Sequence, residues 1–67
     1  MIPENRKGTT VTVNVHNPME ATNEELLAAL KKQSSHNFSG TERVEYINWR
    51  DAKEGRVCFG VTWEVQP

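Results

Sequence analysis

Val57-Cys58-Phe59-Gly60-Val61-Thr62-Trp63-Glu64-Val65 decides how the rest of the chain must fold. Large apolar residues stand at 57, 59, 61, 63 and 65, and smaller or polar ones stand between them. A period of two puts the first set on one face of a β-strand and the second set on the other. The odd face needs cover, so this strand is expected near the middle of a sheet. The even face is flat, polar and lined by small residues. Gly60 leaves a shallow gap there that a neighbour such as Trp49, or a partner, can fill.

The residues before it supply the other strands. Thr9–His16 alternates again, with Val11, Val13 and Val15 on one side and Thr10, Thr12, Asn14 and His16 on the other. Its β-branched residues favour a strand, and Asn17-Pro18 ends it. Thr41–Trp49 also reads as a strand, but no single alternation fits it. Val44 and Tyr46 share a side with Glu42 and Asn48, while Ile47 and Trp49 share the other with Arg43 and Glu45. Either a bulge between Tyr46 and Ile47 switches the face, or both faces are partly covered. The reading favoured is an edge strand with one aromatic on the open face. Arg50–Arg56 is a charged hairpin loop, with Gly55 at a position of positive φ.

One helix lies between the first two strands. Thr22-Asn23-Glu24-Glu25 has the form of a capping box, in which the Thr22 hydroxyl and the Glu25 carboxylate satisfy each other's backbone N–H. Ala21 and Leu26 stand at staple positions. Leu26, Leu27, Ala29, Leu30 and Gln33 form a stripe of about three turns, with acidic residues in the first turn and lysines in the last. Gln33–Gly40 is a loop that Phe38 pins to the core edge, and Met1–Gly8 is a flexible arm. The fold class is therefore α+β, in the order β-α-β-β. One helix packs on a three-stranded sheet of order 1-3-2 or 1-2-3, and the split β-α-β order 1-3-2 is preferred because it places the most apolar strand in the centre.

Sixty-seven residues make a single domain, 1–67, that buries roughly 60% of its unfolded surface. Small domains often add disulfides, a metal or a partner subunit. Cys58 is the only cysteine, which excludes a disulfide within the chain and suits a reducing compartment. No Cys-x-x-Cys or His-x-x-x-His spacing is present, so no metal is expected from His16, His36 and Cys58. No cofactor is expected either. A partner remains the most plausible aid, including a homodimer. No apolar run approaches a membrane span, and residues 1–7 lack the apolar core of a signal peptide, so a cytoplasmic location is expected.

Chemistry has few candidates. Cys58 with His16 or His36 would be a nucleophile pair, but nothing in the sequence lowers the thiol pKa. Glu42, Glu45, Asp51 and Glu64 look solvated, and no glycine-rich phosphate loop exists. No enzyme is expected. The residues that stand out are Trp49, Tyr46, Arg43, Arg50, Lys53 and Arg56, around the hairpin. Tryptophan, tyrosine and arginine are enriched at interface hot spots, so these six are the candidate partner-binding residues, and a protein is the first choice of partner. Aromatics flanked by arginines on an open sheet also suit single-stranded nucleic acid. Against that, the net charge is −1, and acidic residues are interleaved with the basic ones.

Phe38-Ser39-Gly40-Thr41-Glu42-Arg43-Val44-Glu45-Tyr46-Ile47, after a short helix and before a charged hairpin and a Trp-containing strand, resembles small bacteriophage anti-defence proteins. Anti-CRISPR proteins that sit on type I crRNA-guided surveillance complexes are of this kind, and short prophage accessory proteins share the look. The resemblance covers about the last thirty residues. It implies a non-catalytic inhibitor or adaptor in the host cytoplasm. The function expected is that of a compact interaction protein that occludes a surface of a larger partner.

Overall fold

The computed structural model describes residues 5–33 and 40–65. These form β1 (Arg6–Asn14), α1 (Asn23–Gln33), β2 (Arg43–Asp51) and β3 (Arg56–Glu64). The sheet order is β1-β3-β2, and β3 is antiparallel to both neighbours. The expected split β-α-β arrangement is therefore the observed one, with β1 and β2 running the same way on either side of β3. No helix among the described residues is long and apolar enough to cross a membrane.

β3 is the centre because both of its faces have something to bury. Val57 through Thr62 are buried without a break. Val57, Phe59 and Val61 join Val13, Ala21, Leu26 and Leu30 in the core between sheet and helix. Burying Leu26 and Leu30 contributes about 1.5–3 kcal/mol each, which an isolated three-turn helix needs in order to persist. The helix starts where the sequence places it. Thr22 N–H donates to the Glu25 carboxylate at 3.1 Å, and Glu25 N–H donates to the Thr22 hydroxyl at 3.2 Å.

Three expectations are corrected. β1 begins at Arg6, so residues 6–8 of the expected arm belong to a strand: Arg6 stands opposite Glu64, Lys7 opposite Trp63 and Gly8 opposite Thr62. β1 also ends at Asn14, two residues early, because Val15 turns its N–H to the carbonyl of Gly55 in the hairpin turn. The third correction concerns β2. Instead of one face switch between Tyr46 and Ile47, the strand has two irregularities, between Val44 and Tyr46 and between Ile47 and Trp49. Glu45 and Asn48 are the extra residues. Each bulge adds one residue to a two-residue repeat, so the strand runs with a local period of three. Val44, Ile47 and Arg50 face the helix opposite Val61, Phe59 and Val57, while Arg43, Tyr46 and Trp49 face away opposite Thr62, Gly60 and Cys58. That is why no simple alternation fits the sequence. The expected loop anchor, Phe38, lies outside the described residues.

Candidate functional site

The sheet face opposite the helix is where the exposed aromatics collect. Tyr46 is 53% exposed and Trp49 is 42% exposed. Both come from β2, and both lie over β3 positions too small to cover themselves. Two aromatics, not one, therefore stand on the open face, placed there by the two bulges.

Tyr46 fills the gap at Gly60. A Cβ placed on Gly60 would overlap the Tyr46 ring at three of its atoms, so only glycine admits the ring there. The gap was expected to suit Trp49; the register sets Trp49 opposite Cys58 instead. The tyrosine crosses the sheet, and its hydroxyl lies 3.0 Å from the Thr10 hydroxyl on β1. This one side chain thereby ties both edge strands across the centre. Cys58, on the face of small and polar residues, is 6% exposed and takes a contact from the Asn48 amide at 3.6 Å. A shallow hollow of about 340 Å³ opens beside the Tyr46 ring, lined by Gly8, Thr10, Glu45, Gly60 and Thr62.

A polar chain closes the far end of this face. Arg6 donates to the Thr41 carbonyl at 3.1 Å and to the Thr62 hydroxyl at 3.2 Å. Thr62 in turn donates to the Glu45 carboxylate at 2.8 Å, and Arg43 Nε donates to the same oxygen at 3.1 Å. The Thr62 hydrogen bond, with the charges of Arg43 and Arg6, holds the Glu45 carboxyl below its usual pKa, against a smaller opposing effect of burial. Glu45, Thr62, Thr10 and Arg6 belong to this site, although the sequence did not single them out. Their signal was the run Arg43-Val44-Glu45-Tyr46, whose bulge cannot be located without its partner strand.

The six residues expected to bind a partner do not form one patch. Tyr46, Trp49 and Arg43 share the open face. Arg56 shares it at the hairpin end, opposite Asp51. Lys53 is exposed in the turn between β2 and β3. Arg50 leaves the group: it stands opposite Val57 on the helix face. Its Nη1 donates to the carbonyls of Pro18 at 2.5 Å and Ala21 at 3.2 Å. It thus secures the turn that leads into α1, which is a structural task.

The open face carries Arg6, Arg43 and Arg56 against Glu45, Asp51 and Glu64, so its charges are evenly mixed. A second hollow of about 710 Å³ lies between the end of β1 and α1, lined by Val15, His16, Ala21, Ala28 and Lys32 among others. Among the described residues, no three His, Cys, Asp or Glu side chains converge as metal ligands do. Comparison with protein-family models, with curated proteins and with solved structures finds no match for this chain.

Proposed function

We propose that the protein is a non-enzymatic interaction module that docks its open sheet face on a larger partner protein and occludes the surface it covers. The observation that carries this reading is the pair Tyr46 and Trp49, both large, both about half exposed, on a face whose remaining central positions are closed. Rigid aromatics at the centre of a patch with a polar rim are what interface hot spots are made of. Tyr46 is held at its ring by Gly60 and at its hydroxyl by Thr10, so little side-chain freedom is lost on docking. A non-catalytic inhibitor or adaptor is also what the resemblance to phage anti-defence proteins implies.

The even charge of the face favours a protein over nucleic acid, because phosphate binding draws on a net basic surface. The test uses the wild-type chain and Trp49→Ala as paired baits in extracts of the source cell. A specific protein retained by the first and lost by the second, with unchanged circular dichroism, supports the reading. Retardation of single-stranded oligonucleotides at low salt, abolished by the same substitution, would replace it with nucleic-acid binding.

A further inference from the structure

We propose that two copies of the chain pair through the edge of β1 that no strand covers among the described residues, antiparallel and centred on Thr9, to make one six-stranded sheet. The direction of the backbone groups in β1 follows from its two ends. Asn5 C=O accepts from Val65 N–H at 2.7 Å, and Val15 N–H donates to Gly55 C=O at 2.9 Å. Odd positions therefore pair inward with β3 and its flanks, and even positions point away. Asn14 confirms the alternation, since the Gln33 side-chain amide bonds both its N–H, at 2.9 Å, and its C=O, at 2.7 Å. The N–H and C=O of Arg6, Gly8, Thr10 and Thr12 are thus aimed outward, in a stretch where Lys7 to Thr10 and Thr12 are exposed.

Unpaired strand edges recruit other strands unless bulges, prolines or charges blunt them. β2 has those devices: two bulges, with Arg43, Glu45, Arg50 and Asp51 along it. β1 carries its charges, Arg6 and Lys7, at its first two residues, while Gly8–Val13 has no charge, no proline and no register break, and its last five residues are all β-branched. The same sheet therefore protects one edge and leaves the other as a template.

The outward set fits a second copy of itself. A two-fold axis at Thr9 places Arg6 opposite Thr12 of the second copy and Gly8 opposite Thr10 of the second copy. All four outward residues of each chain then exchange both backbone bonds. Lys7 faces Val11 of the second copy, so no like charges meet. Gln33 selects this register. Centring on Thr10 would require Arg6 to pair with Asn14 of the second copy, whose backbone groups Gln33 already occupies. Centring on Gly8 leaves Thr12 without a partner inside β1. Paired residues lie on the same side of the sheet, so both copies present Tyr46 and Trp49 on one continuous face. This pairing stands whatever that face binds.

Thr9 provides the test. Across the new interface Thr9 meets Thr9 of the second copy as a non-hydrogen-bonded pair, with Cα atoms about 4.5 Å apart, within the roughly 4.4–6.8 Å span of a disulfide. Thr9→Cys is expected to oxidise to a covalent dimer, doubling the mass from 7.6 kDa. Thr12→Cys, which faces Arg6 instead, is expected to stay unlinked. Cys58 is buried and serves as the internal control in the unsubstituted chain. Sedimentation of the unsubstituted chain should show concentration-dependent dimers. A chain that remains monomeric at every concentration overturns the proposal, as does equal cross-linking at positions 9 and 12 or an edge that accepts only a foreign strand.

Discussion

The Tyr46 ring occupies the space that a side chain at Gly60 would need, so the middle of the central strand is finished by a residue from the edge strand. The relationship explains why a glycine, which weakens a strand by itself, stands at a buried position in the middle of the open face. It also predicts a coupling. Gly60→Ala should force the ring out and cost about 1–3 kcal/mol in urea denaturation, as overpacking does. In a Tyr46→Ala background the same alanine should cost much less, and the difference between the two costs measures the contact. Equal costs in both backgrounds would show that the ring is free to move.

Arg50 should behave as part of the scaffold. Arg50→Ala leaves the Pro18 and Ala21 carbonyls without their donor, at about 1–3 kcal/mol for partly buried acceptors. The thermal midpoint should fall. Trp49→Ala, one residue away but on the other face, should change stability far less. If both substitutions lower the midpoint alike, Trp49 is structural too and the docking face must be redrawn.

Acid should destabilise the fold through Glu42. Its side chain is 2% exposed and meets Lys31 Nζ at 2.6 Å. The Lys31 hydrogen bond is the main cause that holds the carboxyl below its usual 4.5, helped by backbone N–H groups and opposed by burial. A carboxyl whose pKa is lower folded than unfolded stabilises the fold above the unfolded value, and that contribution is lost as pH falls through the folded value. Denaturation between neutral pH and the region below 4.5 should therefore show declining stability. Lys31→Ala should flatten the decline while lowering stability at neutral pH. An unchanged acid slope in that variant would assign the decline to other carboxyls.

The capping box can be tested by replacing either partner. Thr22→Ala or Glu25→Ala should each cost about 0.5–2 kcal/mol. The double variant should cost less than the sum, because the two side chains bond each other's backbone N–H as a unit. Strict additivity would mean that each side chain acts alone.

Some of this molecule is determined locally. Alternation over Val57–Val65 and over Val11–Val15 depends only on the period of an extended chain, and the box Thr22 to Glu25 depends only on atoms three residues apart. Those stretches identify the central strand, a flanking strand and the helix start without reference to anything distant. The order 1-3-2 is preferred over 1-2-3 on sequence, since the most apolar strand then lies in the middle, and the tertiary structure decides it. β2 is different. Where its two extra residues fall depends on which β3 residue each neighbour meets, and Gly60 leaves the room that the Tyr46 ring fills. That information is split between two different strands. The same is true of Arg50, which looks like a surface cation in sequence and becomes a clasp for the turn before α1 only because packing brings the Pro18 and Ala21 carbonyls within its reach. Tertiary structure also decides which strand edge is left open. A bulge blunts an edge only by its position in the sheet, and Gln33 can seal Asn14 only because packing carries the end of the helix to the end of β1.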